Sequence, residues 1–177
     1  MTDNERNLEA TFDEHMRCEF VLCDVEATMR TMTASPHLTH VPTLTGGAGW
    51  EGVRTYYREH FVGHWPADTK LIPISRTVGT DQLVDEFVLC FTHDIPMDTM
   101  LPGVAPTGKY VELPHVAVVK FDGDKIAHEH IYWDQASLLV QVGLLDPKTL
   151  PVTGAEQARK MLDVKQPMNA LLNRTST

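Results

Sequence analysis

The chain has 177 residues, 42% hydrophobic and 22% charged, with no low-complexity run, so one globular domain with a real core is expected over residues 1–177. Its 15 Lys plus Arg against 24 Asp plus Glu give a net charge of -9; with no basic block, the chain would repel a phosphate backbone, and nucleic acid is not an expected partner. The start, Met1 to Glu9, is polar and acidic and no apolar run approaches ~20 residues, so no signal peptide or membrane span is expected and the location reads as cytoplasmic. Three cysteines, Cys18, Cys23 and Cys90, show no Cys-x-x-Cys spacing and form no disulfide framework.

From Glu5 to about Met32 there is no Gly or Pro, and Leu8, Phe12, Met16, Phe20, Cys23 and Ala27 recur at steps of three or four, which predicts one long amphipathic helix. Pro36, Pro42 and the glycine-rich stretch Thr45 to Gly52 break the chain, and Gly52 to Phe61 reads as a second helix. Lys70 to Val78 and Leu83 to His93 read as strands, and Asp94 to Lys109, with three prolines and two glycines, as a long loop. Tyr110 to Phe121 and Lys125 to Trp133 flank Asp122-Gly123-Asp124, a strong hairpin signal. Gln135 to Val142 is a short helix closed by Gly143, and Ala155 to Val164 a last one before a frayed tail beyond Pro167. Two helices followed by antiparallel strands make an α+β order.

Two motifs offer chemistry that their context withholds. Gly47-Ala-Gly49-Trp-Glu-Gly52 satisfies the dinucleotide-binding pattern, but His37 to Thr45 holds a proline and reads as a poor buried strand, and no βαβ unit follows; the motif reads as a flexible turn. His60 with His64, and His15 with Glu19, lie four apart on helices and bring no third ligand from nearby sequence, so no metal is expected from them.

The densest set of ionisable and aromatic side chains is Lys125 to Asp134. Strand alternation places His128, His130, Tyr132 and Asp134 on one face and Glu129, Ile131 and Trp133 on the other. The first face is the expected pocket face, with a carboxylate, an imidazole and a phenol for enolate chemistry; the alternative is that His128 and His130 face solvent while Ile131 and Trp133 make the core, and a bulge would also swap the two faces. Glu86 and His115 sit in apolar strands and need partners, and a Glu86, His115 and Glu129 network would supply them, as a pocket or as a polar cluster in the core.

A long first helix containing Asp24, a Gly-Trp-Glu-Gly-Val turn leading to Tyr56-Tyr57, and a last strand running into Asp134-Gln-Ala-Ser-Leu-Leu-Val-Gln-Val-Gly-Leu-Leu resemble the SnoaL-like branch of the nuclear transport factor 2-like superfamily. The resemblance covers roughly residues 8–145 and leaves 146–177 as a C-terminal extension. It implies an α+β cone-shaped barrel, a curved and mainly antiparallel sheet wrapped around a long N-terminal helix, usually as a homodimer, with the cavity between sheet and helices. It also implies a general acid/base at Asp134 and no cofactor.

The resulting expectation is a cyclase, isomerase or lyase acting next to the carbonyl of a small apolar substrate. Asp134 would be the base and His130 its partner; Tyr132, His115 or Glu86 would orient the substrate, and Trp133, Glu129, Tyr56, Met100 and Leu101 would contact it. The residues 95–108, with Met97, Met100, Leu101 and Val104, would form a lid. Two alternatives stay open: a binding protein using the same pocket without turnover, and a metal-dependent hydrolase or lyase using His115, Glu129 and His130.

Overall fold

The computed structural model describes residues 3–174; residues 1–2 and 175–177, the outermost ends of the acidic start and of the tail, lie outside it. The first helix, α1 (Asp3–Arg17), places Leu8, Phe12 and Met16 on one stripe, as the periodicity requires. It does not run on to Met32. It widens into a π-helical turn, Cys18–Leu22, and ends at Cys23, whose φ of 50° is left-handed and whose N–H returns to the Cys18 carbonyl. Asp24 then caps α2 (Val25–Arg30), accepting from the Ala27 N–H at 3.0 Å. An apolar period of 3.6 continues across such a break because Ala27 still falls on the buried stripe, so periodicity alone does not register it.

The segment expected to be irregular supplies two strands. β1 (Met32–His40) pairs in parallel with the late strand β6 (Lys125–Trp133), and its register shifts between Met32 and His37, where Pro36 sits. A bulge is where a residue without an N–H is tolerated in a sheet. β2 (Thr45–Ala48) pairs antiparallel with β1 and runs straight into α3 (Gly49–Tyr56), which ends in a second π-helical turn, Tyr57–Phe61. The glycines here serve close backbone approach and not a flexible turn. A Cβ on Gly47 would lie 2.4 Å from the Gly52 carbonyl oxygen, and one on Gly46 would lie 2.0 Å from that of Leu38.

The remaining elements fall where they were expected: β3 (Lys70–Val78), β4 (Gln82–Thr92), β5 (Tyr110–Asp122), β6, α4 (Gln135–Gln141) and α5 (Glu156–Leu162). Gly123 in the β5–β6 turn has a φ of 62°. The strands form one six-stranded, mostly antiparallel open sheet in the order β2-β1-β6-β5-β4-β3. The expected α+β cone is thus built on an open sheet. One face of the sheet packs against α1 and the turn after α3 through Phe12, Tyr57, Phe61, Leu113 and Trp133, and α5 covers part of the other face, seating Ala158 on Val88 and Cys90. Residues 93–109 are irregular but tied down, with the His93 carbonyl accepting from the N–H groups of Thr107 and Gly108, and Met97, Met100 and Leu101 buried.

Gly47→Ala should destabilise the fold by about 3 kcal/mol, the upper range for overpacking, because backbone would have to move. Gly49 has a φ of 70° but open space around it, so Gly49→Ala should cost only about 1–2 kcal/mol of backbone strain. Urea unfolding of the two variants checks this order.

Candidate functional site

The orientation of β6 decides what the cavity contains. Phe121 pairs with Ile126, but the next residue of β5, Lys120, pairs with His128, so β6 holds one extra residue at Ala127. Before the bulge the even-numbered Ile126 points inward; after it Glu129, Ile131 and Trp133 do. His128, His130 and Tyr132 are thereby turned to the outer face, and Tyr132 is 43% exposed.

The inner side of the sheet, α1, the turn after α3 and the loop before β5 enclose a cavity of about 40 Å³, room for a few water molecules or a small organic group. Its wall is mostly aromatic and aliphatic, from Phe12, Phe20, Phe61, Phe87 and Trp133 among others, with Glu19, His40, Thr99, His115 and Glu129 as its ionisable or hydroxyl-bearing members.

Glu129 would be a lone buried charge were it not met by α1. His15, fully buried, places Nε2 2.9 Å from Glu129 Oε1 and 3.1 Å from Glu19 Oε1. The Tyr57 hydroxyl donates to the same Glu129 oxygen at 3.2 Å. On the far side of the ring, Nδ1 lies 2.6 Å from Thr31 Oγ1, and the Thr31 hydroxyl itself donates to the Thr28 carbonyl. Thr31 has one proton and has spent it, so it accepts from Nδ1; with carboxylates facing Nε2, both ring nitrogens carry protons. His15 is an imidazolium.

The electrostatics agree with that reading. Burial alone would lower the pKa of His15, but the charges of Glu129 and Glu19 raise it to about 10. The two carboxylates part company: burial and the neighbouring Glu129 charge push Glu19 above the usual carboxylate range, whereas Glu129, despite its burial, is drawn below that range by the His15 charge and by hydrogen bonds from His15 and Tyr57. Burial and charge thus set the two carboxyl groups apart, Glu19 upward and Glu129 downward. A bound cation at these three ligand atoms would have to displace the Nε2 proton.

Across the cavity the imidazoles are neutral. Burial lowers His40 and His115 to about 4. His115 donates Nδ1–H to the Leu113 carbonyl at 3.0 Å and lies stacked between Phe87 and Trp133, with ring centroids 5.4 Å away on each side; Nε2 is left as the acceptor of the ring. Thr99 donates its hydroxyl proton to the His60 carbonyl, so the Tyr56 hydroxyl, 2.8 Å from it, donates to Thr99 and receives Nδ1–H of His40 at 3.0 Å. Burial pushes the Tyr56 phenol up to about 12. Trp65 also lines the cavity, and its buried Nε1–H has no acceptor among the described residues.

The expected residues divide accordingly. His115, Glu129, Trp133 and Met100 border the cavity, Tyr56 touches it through His40, and Leu101 is buried in the core. His130 and Tyr132 lie on the outer face because of the bulge. Asp134 is exposed at the start of α4, which it caps by accepting from the N–H groups of Ala136 and Ser137 while Gln157 donates to its other oxygen at 2.6 Å. Glu86 is on the outer face of β4, accepting from Ser75, and does not join His115 and Glu129. The metal set His115, Glu129 and His130 is divided between the two faces and cannot share an ion. His15 and Glu19 carried a signal in the sequence: a His and a Glu four apart on the apolar stripe that runs from α1 into the π-helical turn. Trp65 carried none.

No family model matches the sequence, and no curated protein matches it. Solved structures do. A protein assigned as a SnoaL-like polyketide cyclase from Jannaschia sp. CCS1 superposes with a TM-score of 0.66 at 17% identity, over 82% of this chain and 98% of that one. An NTF2-like protein of unknown function from Burkholderia pseudomallei K96243 gives 0.59 at 17%, over 77% and 98%. A protein with a ketosteroid isomerase-like fold from Catenulispora acidiphila DSM 44928, solved in complex with trimethylamine, gives 0.56 at 15%, over 76% and 93%. The chain is thus an α+β protein with its cavity between a curved sheet and a first helix. Its fold is the nuclear transport factor 2-like fold, in the form seen in SnoaL-like and ketosteroid isomerase-like structures.

The cluster predicts a pH response. The His15 pKa is raised from 6.5 to about 10, so the stability its proton contributes is complete below about 6.5 and is lost as pH rises through about 10. Glu19, also raised, loses stability in the same direction, beginning above its ordinary value. The Tm should fall between pH 6.5 and 10, and Glu19→Gln should flatten part of that fall. Glu129→Gln leaves the imidazolium without its anion and should cost about 3–5 kcal/mol at pH 7, measured by thermal and urea unfolding.

Proposed function

We propose that the chain is an enzyme that transfers a proton next to the carbonyl of a small apolar substrate without a cofactor, as an isomerase, cyclase or lyase does. The observation that carries this reading is Glu19, a carboxyl group with a raised pKa on the wall of an otherwise apolar cavity, held against an imidazolium that keeps its neighbour Glu129 ionised. Environments that drive two adjacent carboxyl groups apart assign the proton carrier. Glu129 is held below the ordinary carboxylate range by His15 and Tyr57, whereas Glu19, which meets the same two groups, is pushed above it by burial; Glu19 is therefore the group assigned the proton transfer.

In this mechanism ionised Glu19 removes the proton from the carbon next to the carbonyl, and the raised pKa makes it a stronger base than an ordinary carboxylate. The donor assigned to the oxyanion that forms is Trp65 Nε1–H, which has no acceptor among the described residues and comes into reach as the substrate displaces its neighbours. Protonated Glu19 then returns the proton to another carbon or to a leaving group. His115, whose Nε2 is an acceptor only, orients a substrate hydroxyl. Met100 and the rest of the loop before β5 cover the cavity, and a substrate larger than the cavity enters by displacing these flexible side chains.

The volume of the cavity supports a second reading. About 40 Å³ is far below the roughly 300–1,000 Å³ of drug-sized sites, and the complex of the Catenulispora acidiphila protein with trimethylamine holds a ligand of only four heavy atoms. On this reading the pocket retains a small ligand and converts nothing.

Deuterium exchange at the α-carbon of butanone, followed by proton NMR in D2O, separates the two. The wild type should accelerate exchange with an acid limb above the ordinary carboxylate pKa; Glu19→Gln should lower the rate about 100-fold or more, Trp65→Phe about 10- to 100-fold, and Asp134→Asn should leave it unchanged. Butanone bound by the wild type without exchange would establish the binding reading, and loss of exchange in Asp134→Asn alone would return the base to the start of α4.

A further inference from the structure

The outer face of the sheet carries a second cluster that the cavity does not use. The bulge at Ala127 turns His128 and His130 outward on β6, two residues apart on one face, and the parallel pairing of β1 sets His37 directly beside His128. The His128 ring stacks on both others, with centroids 4.5 Å from His37 and 4.4 Å from His130, while His37 and His130 are tilted to each other at 5.4 Å. One ligand nitrogen from each lies within 4.8 Å of the other two.

We propose that His37, His128 and His130 form a binding site for a divalent transition-metal ion of the zinc type. The bite is right: His37 Nε2 and His130 Nε2 are 3.3 Å apart, and two nitrogens each ~2.05 Å from a tetrahedral ion stand about 3.3 Å apart. The ligands are available: among the described residues His37 and His130 hydrogen-bond only to each other, and the His128 ring nitrogens to nothing. Lys120, the cation across the ladder from His128, is held by Asp81. Three imidazoles suit zinc, cobalt, nickel and copper better than calcium or magnesium. The half-exposed position leaves a fourth ligand place for water or a small anion, as in open zinc sites. The ion would also pin β1 to β6 across the one parallel pairing of the sheet.

Titration of the full chain with Co2+, followed by its visible absorption and by native mass spectrometry, tests this. One equivalent should bind with the intense band of four-coordinate cobalt. The variant His37→Ala with His130→Ala, both surface changes, should weaken binding by at least about 100-fold, more than the loss of an outer-shell partner, while Glu19→Gln binds as the wild type does. Absence of stoichiometric binding to the wild type, or binding that survives in the double variant, overturns the proposal; loss of binding in Glu19→Gln with retention in the double variant places the ion in the cavity and overturns it equally.

Discussion

Between Phe121 and Lys120 the hairpin partner β6 advances two residues while β5 advances one, and the rest of the site follows from that extra residue. It carries Glu129 from the solvent side of the sheet to the floor of an apolar cavity, where an uncompensated carboxylate would be costly. α1 answers with His15, and the imidazolium in turn holds Glu19. Electrostatics then forbid equal treatment of the two carboxyl groups, since one positive charge does not neutralise two negative ones in a buried place. The bulge, the helix and the unequal carboxylates are one arrangement.

The same bulge sorts the histidines. Those reached from the inner face, His15, His40 and His115, are tied into hydrogen bonds that fix the protonation of each ring, and their surroundings either charge them or keep them neutral. Those on the outer face, His37, His128 and His130, are stacked about the His128 ring with their nitrogens largely unspent. A polar side chain that is buried has to be satisfied within the fold; a surface cluster is under no such demand, and its free nitrogens can serve a ligand.

Much of the fold was legible in the sequence because most of it obeys simple periods. The alternation in Lys70–Val78 and Lys125–Trp133 gave strands with the observed bounds, and Asp-Gly marked the turn between the last two. β1 was hidden by Pro36, which a bulge accommodates, and β2 by its two glycines, Gly46 and Gly47, whose missing side chains allow close backbone contact. The inward face of β6 was misread because alternation fixes which residues share a face but not which face is inside. The parity of the apolar residues held the clue: Ile126 is even, Ile131 and Trp133 are odd, and a strand with one buried face reconciles these only by an extra residue. Asp134, expected to be the base, is a helix cap, a role that an aspartate just before a short helix fills for local reasons.

The charge on His15 is the point on which the account turns. Nitrogen-15 NMR of the imidazole ring, recorded across pH 6 to 9, reports its protonation directly. Both ring nitrogens of His15 carrying protons throughout that range is the result expected from the Thr31 and carboxylate contacts. A neutral His15 ring at pH 7, with a single proton on Nδ1, would contradict it and would leave Glu19 and Glu129 without the charge that sets them apart.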